Sequence, residues 1–280
     1  MKELVKYIRG QVDLSQEQFA LAMGTTSITV NRWENGKSVP NKMAQNTLFK
    51  FCSENQIDLA AHIVESIKLH QKGNGILYHG SRKGIIGEIA PISRNKCDFG
   101  AGFYTGTEPL QPLTLVCDEE KPMFYTMRLN TKDIKIFHVQ TELEWALLIA
   151  YYRGYMDGVK ESPIYEKYAH FTEGYDVVVG YIANDRMYQT LTDFFNRTIT
   201  DRVMIESLSA LGLGTQYVAL TKRGCQAFEI LEERTLRPLE LMAVREKSQM
   251  NRRTGLALAD EMREKYRREG KFFDEMLKGV

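Results

Sequence analysis

His79 closes an apolar run, Ile76–His79, and is followed directly by Gly80 and Ser81. An imidazole that donates or accepts according to its tautomer thus stands beside a residue with no side chain and a hydroxyl. Further along, Arg94-Asn-Lys-Cys-Asp-Phe-Gly-Ala-Gly-Phe-Tyr-Thr-Gly gathers a guanidinium, the Asp98 carboxylate, aromatic rings and closely spaced glycines. A third string, Gly214-Thr-Gln-Tyr-Val-Ala-Leu-Thr, places Gln216 at the start of a late strand. Phe103 and Tyr104 are neighbours, so in a strand only one can point into a site. Asp176, opening Tyr-Asp-Val-Val-Val-Gly, and Asp185, in Ala-Asn-Asp-Arg, suit a turn or cap as well as proton transfer. Metal chemistry has no ligand spacing here: His62, His70, His138 and His170 form no HExxH, and Cys52, Cys97, Cys117 and Cys225 form no CxxC pair. Reduced, buried thiols in a cytosol are the expectation.

These groups need elements to hold them. The 280 residues suggest about two domains, and 43% hydrophobic with 26% charged residues is ordinary for a chain with a buried core. In residues 1–70, Leu4, Val5 and Ile8, then Phe19, Ala20 and Met23, then Val30 and Trp33, then Leu48, Phe49 and Cys52 recur at helical spacing. Residues 71–75 read as a linker. Strand-like runs follow at Ile76–His79, Gly102–Thr105, Pro122–Leu129, Ile134–Val139, Tyr175–Ile182, Gln216–Thr221 and Ala227–Leu231. Helical stretches lie between them at Glu142–Tyr155, Met187–Phe195 and Arg202–Leu211, so residues 71–238 read as an α+β domain. Residues 239–280 read as a helical tail with Arg252, Arg253, Arg263, Lys265, Arg267 and Arg268, either solvated or partner-binding.

The first domain carries helix start and stop signals. Ser15 and Gln18 fit a capping box, Gly24 suits a tight exit, and Thr26 can cap a second helix closed by Asn35-Gly36. Ser15-Gln16, Ala20, Gly24, Trp33-Glu34-Asn35-Gly36-Lys37 and Pro40 together resemble the lambda-repressor-like (Xre-type) helix-turn-helix family over residues 1 to about 66. The resemblance implies that the second helix enters the major groove, with Ser27, Ile28, Asn31 and Arg32 towards base edges. Gln16 and Lys37 would meet phosphates. Arg32 would read guanine and Ile28 a thymine methyl. The alternative is a pair of helices that only packs or dimerises. The balance in residues 1–70, eight basic to seven acidic side chains, predicts weak binding by a monomer and favours a homodimer on a two-fold operator.

The strings around His79, Tyr104 and Gln216, in that order and each at a strand, resemble the ADP-ribosyltransferase fold in its His-Tyr-Glu branch. That branch is shared by diphtheria-toxin-like and poly(ADP-ribose)-polymerase-like enzymes. More narrowly, Arg94 to Gly106 with the later Tyr-Asp-Val-Val-Val-Gly looks like an uncharacterised bacterial family in that fold, over about 76–236. The implied class is α+β with a split β-sheet, and the implied co-substrate is NAD. Breaking the nicotinamide–ribose bond builds positive charge on the ribose. His79 would bond a ribose hydroxyl, Gly80 would let the backbone approach the carboxamide, and Tyr104 would stack on nicotinamide. Arg94 would meet a pyrophosphate oxygen or pair with Asp98. Ser81 would add a hydrogen bond, and Tyr78, Asp98, Phe99, Gly102 and Phe103 complete the implied NAD site.

One position departs from the family's pattern: Gln216 stands where a glutamate is expected. An amide accepts from a ribose hydroxyl but brings no charge. This disfavours polymer elongation and leaves transfer of one ADP-ribose, NAD hydrolysis, or NAD binding without turnover. Asp98, Asp176 or Asp185 would be the carboxylate that replaces it. The expected protein is therefore an NAD-dependent mono-ADP-ribosyltransferase acting on a nucleic acid or protein, coupled to DNA binding. A toxin–antitoxin or phage-defence role with a cognate antitoxin follows by analogy. The alternatives are a regulator that binds NAD or ADP-ribose without catalysis, and an NAD glycohydrolase. With 37 basic and 36 acidic residues there is no strong overall field, and no run of ~20 apolar residues marks a membrane span. The polar start, MKELVKYIRGQVDLSQEQ, points to the cytoplasm.

Overall fold

The computed structural model describes residues 1–70, 73–182, 185–210 and 214–278. Helix α1 (Lys2–Gln11) buries Leu4, Val5 and Ile8. Helix α2 (Gln16–Ala22) starts at a complete capping box: the Gln18 N–H donates to Ser15 Oγ at 3.2 Å, and the Ser15 N–H donates to Gln18 Oε1 at 2.9 Å. Gly24, at φ +63°, turns the chain into α3 (Ser27–Glu34), which Thr26 caps. Two further helices, α4 (Lys42–Glu54) and α5 (Leu59–His70), complete the N-terminal region.

The central elements are β1 (Ile76–Ser81), β2 (Phe103–Gly106), α6 (Leu110–Val116), β3 (Met123–Leu129), β4 (Ile136–His138), α7 (Glu142–Arg153), α8 (Pro163–Ala169) and β5 (Val177–Tyr181). They continue as α9 (Asp185–Phe195), α10 (Asp201–Ala210), β6 (Thr215–Ala219), α11 (Lys222–Gln226) and β7 (Phe228–Thr235). The chain ends in α12 (Pro238–Tyr266) and α13 (Phe273–Lys278). The architecture is mixed α+β, as the alternating patterns predict. Three short helices were not expected from periodicity: α6, α8 and α11. Two of them carry local start signals, Ser162 with Pro163 at the first turn of α8 and Thr221 before α11.

The seven strands run β4-β5-β6-β2-β1-β3-β7. Among the described residues only β4 and β5 are parallel; the other neighbours are antiparallel. β1 pairs with β3 along its whole length, and β2 with β6 along its whole length. Between β1 and β2, Tyr78 opposite Gly106 is the one register pair. The sheet is therefore two sub-sheets, β4-β5-β6-β2 and β1-β3-β7, that part beyond that pair.

The N-terminal helices do not close a core of their own. Leu4, Ile8, Leu48, Cys52 and Ile63 share one apolar cluster with Leu113 and Val116 of α6, Tyr78, Phe124, and Leu239 and Val244 of α12. The segment expected as a tail from 239 is thus an integral helix. Its first turns close the helix-turn-helix core, where the Leu239 N–H donates to Gln45 Oε1 at 3.1 Å. Its later turns lie against α9 and α10. A second cluster packs α7, α9 and α10 on the β5–β6 side, and a third covers the other face around Leu77, Phe103 and Tyr125.

Candidate functional site

The recognition surface of the helix-turn-helix rests on a buried carboxylate. Glu34, only 2% exposed, accepts from Arg9 Nε at 2.7 Å and from Gln16 Nε2 at 2.7 Å. Arg9 also donates to the Leu14 carbonyl at 2.7 Å. One acid therefore pins α3 to α1 and α2. Burial alone would raise the Glu34 pKa, but the bonds from Arg9 and Gln16 outweigh it and hold the carboxyl below its ordinary value. Gln16, expected at a phosphate, is engaged with Glu34 and also accepts from Asn31 Nδ2 at 3.2 Å. Asn31, Arg32 and Lys37 are exposed, Ile28 is 72% exposed, and Ser27 is partly buried. An isoleucine so bare at the N-terminal end of α3 has no core to fill.

The second site lies where the sheet parts. The His79 ring spans the gap, with Nδ1 2.7 Å from the Tyr104 carbonyl oxygen. A carbonyl only accepts, so Nδ1 carries the proton and donates, which leaves Nε2 as a lone-pair acceptor. Burial holds the imidazole pKa below its ordinary value against a smaller opposing contribution from the Tyr104 bond, so the ring is neutral at pH 7. Phe103 lies against the ring, with centroids 4.5 Å apart.

Tyr104 reaches the other way. Its hydroxyl donates to the Gly100 carbonyl at 2.8 Å and accepts from the Phe99 N–H at 2.9 Å, closing the turn that follows Asp98. Burial raises its pKa. Asp98 pairs with Arg153, the last residue of α7, rather than with Arg94. Its other oxygen accepts from Gln216 Nε2 at 3.3 Å. Gln216, 5% exposed, also donates to the Tyr181 carbonyl at 2.8 Å. Both neighbours only accept, which fixes the amide nitrogen towards them.

Several implied NAD contacts have other duties. A Cβ on Gly80 would lie 2.4 Å from the Pro112 carbonyl oxygen, so the close seating of α6 requires glycine there. A Cβ on Gly102 would lie 2.5 Å from Val218 Cγ1, so that glycine serves packing on β6. Tyr78 stacks on Phe124 inside the core shared with the N-terminal helices. Phe99 is fully buried under Gly180, opposite Gln216, and anchors the Asp98 turn. The Ser81 hydroxyl donates to the Gly84 carbonyl at 3.0 Å.

Asp176 is not at this site. Its carboxylate accepts from Arg223 Nε at 3.0 Å, Thr221 Oγ1 at 2.7 Å and the Lys135 N–H at 2.9 Å, at the opposite end of β5 from Gln216. The Arg223 bond is the main reason its pKa falls far below the carboxylate range. It is a structural clamp on the β4, β5 and β6 ends. The Asp185 side chain lies outside the described ones. Arg94 is exposed and, with Asn95, Lys96, Arg153 and Tyr155, lines a hollow of about 570 Å³, within the size range of ligand sites.

Residues 76–230 match the family described as Protein of unknown function (DUF3990), and residues 5–43 match the family described as Helix-turn-helix. The chain belongs to the DUF3990 family. It carries that domain behind a helix-turn-helix DNA-binding domain. Among curated proteins and among solved structures no match is found. The DUF3990 segment contains every element from β1 into β7, and so all of the sheet split. Arg153 and Trp145 are the residues of this DUF3990 site that sequence reasoning missed. Arg153 meets Asp98 across 55 positions, a separation with no local signal. Trp145 is fully buried beside Gly180, and its indole N–H has no partner among the described residues. Among the described residues no helix is long and apolar enough to cross a membrane.

Proposed function

We propose that this protein is an NAD-dependent mono-ADP-ribosyltransferase that its helix-turn-helix domain directs to DNA. The observation that carries the reading is the split between β1 and β2, bridged by the neutral His79 ring with Nε2 left to accept. A ribose hydroxyl is a donor that such a nitrogen recognises. A hollow lined by Arg94, Lys96 and Arg153 carries charge that suits a pyrophosphate. NAD would bring the scissile nicotinamide bond. The chain would hold the ribose through His79, shield one side of the site with Phe103, and receive a nucleophile from a nucleic acid or protein. The DNA-binding domain favours an acceptor on or near DNA, a second copy would strengthen the grip on an operator, and an antitoxin would restrain the activity. The test is release of nicotinamide from NAD by the purified full chain. Release in the wild type and loss in His79→Ala is the expected result; equal background from both would end the proposal. Gln216 favours a second reading, a regulator that binds NAD without cleaving it, because its amide is spent on Asp98 and Tyr181. That reading expects NAD binding with no nicotinamide released.

A further inference from the structure

Past the buried Ala150, the end of α7 reads Tyr151-Tyr152-Arg153-Gly154-Tyr155, rings and a guanidinium that all stay partly exposed. Two hollows open beside it, of about 570 Å³ and 370 Å³, and Asn95 and Lys96 line both. The larger adds Arg94, Arg153 and Tyr155; the smaller adds Tyr151, Tyr152 and Tyr165. One is therefore cationic and its neighbour aromatic, with Lys96 on the boundary. The acids nearby are already matched. Asp98 pairs with Arg153, and Asp157 with Lys160 at 3.5 Å. Glu166, whose charge reaches Tyr151, accepts from His170 Nε2 at 3.0 Å. Arg94 and Lys96 are exposed, and among the described residues neither has an ion pair. The rings are fixed in advance. A Cβ on Gly100 would come within 2.7 Å of Tyr152 Cε1, and the Tyr152 hydroxyl shares a 2.8 Å hydrogen bond with Thr172 Oγ1. Tyr151 and Tyr165 meet edge to face, with centroids 5.2 Å apart. Rings held in this way lose little freedom when a flat partner arrives.

Unmatched cations beside partly exposed rings fit a chain that alternates phosphate with flat base. We propose that this surface binds single-stranded nucleic acid, with phosphates on Arg94 and Lys96 and bases against Tyr151 and Tyr165. A duplex keeps its bases stacked inside, so only an unpaired strand lays them on tyrosine. An acidic peptide would satisfy the two cations and leave the rings without a flat partner. The surface uses none of the helix-turn-helix residues, whose reading helix suits a duplex. It stands whether or not NAD is cleaved. NAD also carries phosphates and a base, so it enters the test as a competitor.

The experiment is fluorescence anisotropy of the full chain with labelled single strands of about 12 nucleotides, a length such grooves cover, made as DNA and as RNA. The double variant Arg94→Gln with Lys96→Gln changes exposed side chains, so melting should not move. Its affinity should fall about tenfold at low salt, and the slope of log affinity against log salt should flatten by about 1.4, the share of two phosphates. Tyr165→Leu should weaken binding about five- to tenfold at an unchanged salt slope, while Tyr165→Phe, which keeps the ring, should bind as wild type does. Arg32→Gln with Lys37→Gln, in the helix-turn-helix, should weaken duplex binding and spare the single strand. Failure of wild type to bind either strand overturns the proposal. Full strand binding by the Arg94 and Lys96 variant overturns it, as does its loss in the helix-turn-helix variant. Equal affinity in the two Tyr165 variants removes the stacking and the proposal with it. A strand displaced as readily by NAD or by polyglutamate as by unlabelled strand assigns the hollows to those ligands instead.

Discussion

In the helix-turn-helix, the bonds that shape the motif are mostly local: Ser15 with Gln18 and Thr26 with Thr29, each three residues apart. At the sheet split the bonds that join separate elements are long: His79 with Tyr104 across 25 positions, Asp98 with Arg153 across 55, and Gln216 with Asp98 across 118. The first region presents an exposed reading face on helices that are capped from within. The second has almost no face until the whole domain is assembled. Closing a long loop costs entropy that only the completed core repays, so a site made of such closures depends on distant packing in a way the helical motif does not. Glu34 is the exception that links the two styles, since Arg9 and Glu34 lie 25 positions apart.

The sharpest way to break this comparison is to damage one region and read the other. His79→Ala is expected to lower nicotinamide release by about 10²–10³-fold, as for loss of a group that holds the reacting centre. Operator affinity, measured by fluorescence anisotropy, should stay where it was; a parallel fall would show that the regions are coupled through their shared core. Gly80→Ala comes next. Its Cβ would meet the Pro112 backbone, so α6 must shift and stability should fall by about 2–3 kcal/mol in urea unfolding. Because α6 and the N-terminal helices share one core, both activities should suffer at moderate denaturant. Retained stability would mean that α6 yields freely.

Arg9→Ala tests the longest of the side-chain contacts around Glu34 in the helical motif. It strands the buried Glu34 carboxylate, and since Arg9 is itself partly exposed the cost should be about 2 kcal/mol, below that of a fully buried pair. The pH dependence follows from the same group. The Glu34 pKa is depressed in the folded state, below the ~4.3 of an unfolded glutamate. Its stabilisation is therefore fully present above about pH 4.3 and is lost as pH falls through the folded value. Melting curves from pH 6 down to 3.5 should show a smaller decline in Arg9→Ala than in wild type; identical declines would remove Glu34 from the account. The smallest change is expected from Arg32→Ala. The side chain is exposed, so melting should not move, while discrimination at a guanine should weaken by about 1–2 kcal/mol. Unaltered selectivity across operators would leave α3 as a packing helix.

The helix-turn-helix was legible because its signals are neighbours in sequence: a capping box, a glycine at positive φ and a spaced apolar face. The strands were legible for the same reason, although most of their ends moved, by up to four residues. The split itself was legible only through resemblance. The packing reason for Gly80 and Gly102 was not legible, since it lies in Pro112 and Val218, residues far away along the chain. Arg94 looked like the partner of Asp98 because it stands four positions before it. The end of α7 placed Arg153 there instead.

The tail was judged from its charges, and charge along a helix does not reveal which turns are covered. Leu239, Leu241, Ala243 and Val244 disappear into the N-terminal core because α12 returns to it after the sheet is complete.

By itself, then, the amino-acid order determined the local elements, the two-part organisation, the reading helix and the set of polar groups available for chemistry. These follow from periodicity and capping, which act over a few residues. Tertiary structure alone decided which carboxylate reaches Gln216, which tautomer His79 holds, and that the two parts share one core. Each of those depends on where a distant backbone or side chain comes to rest, and that is set by packing the whole domain.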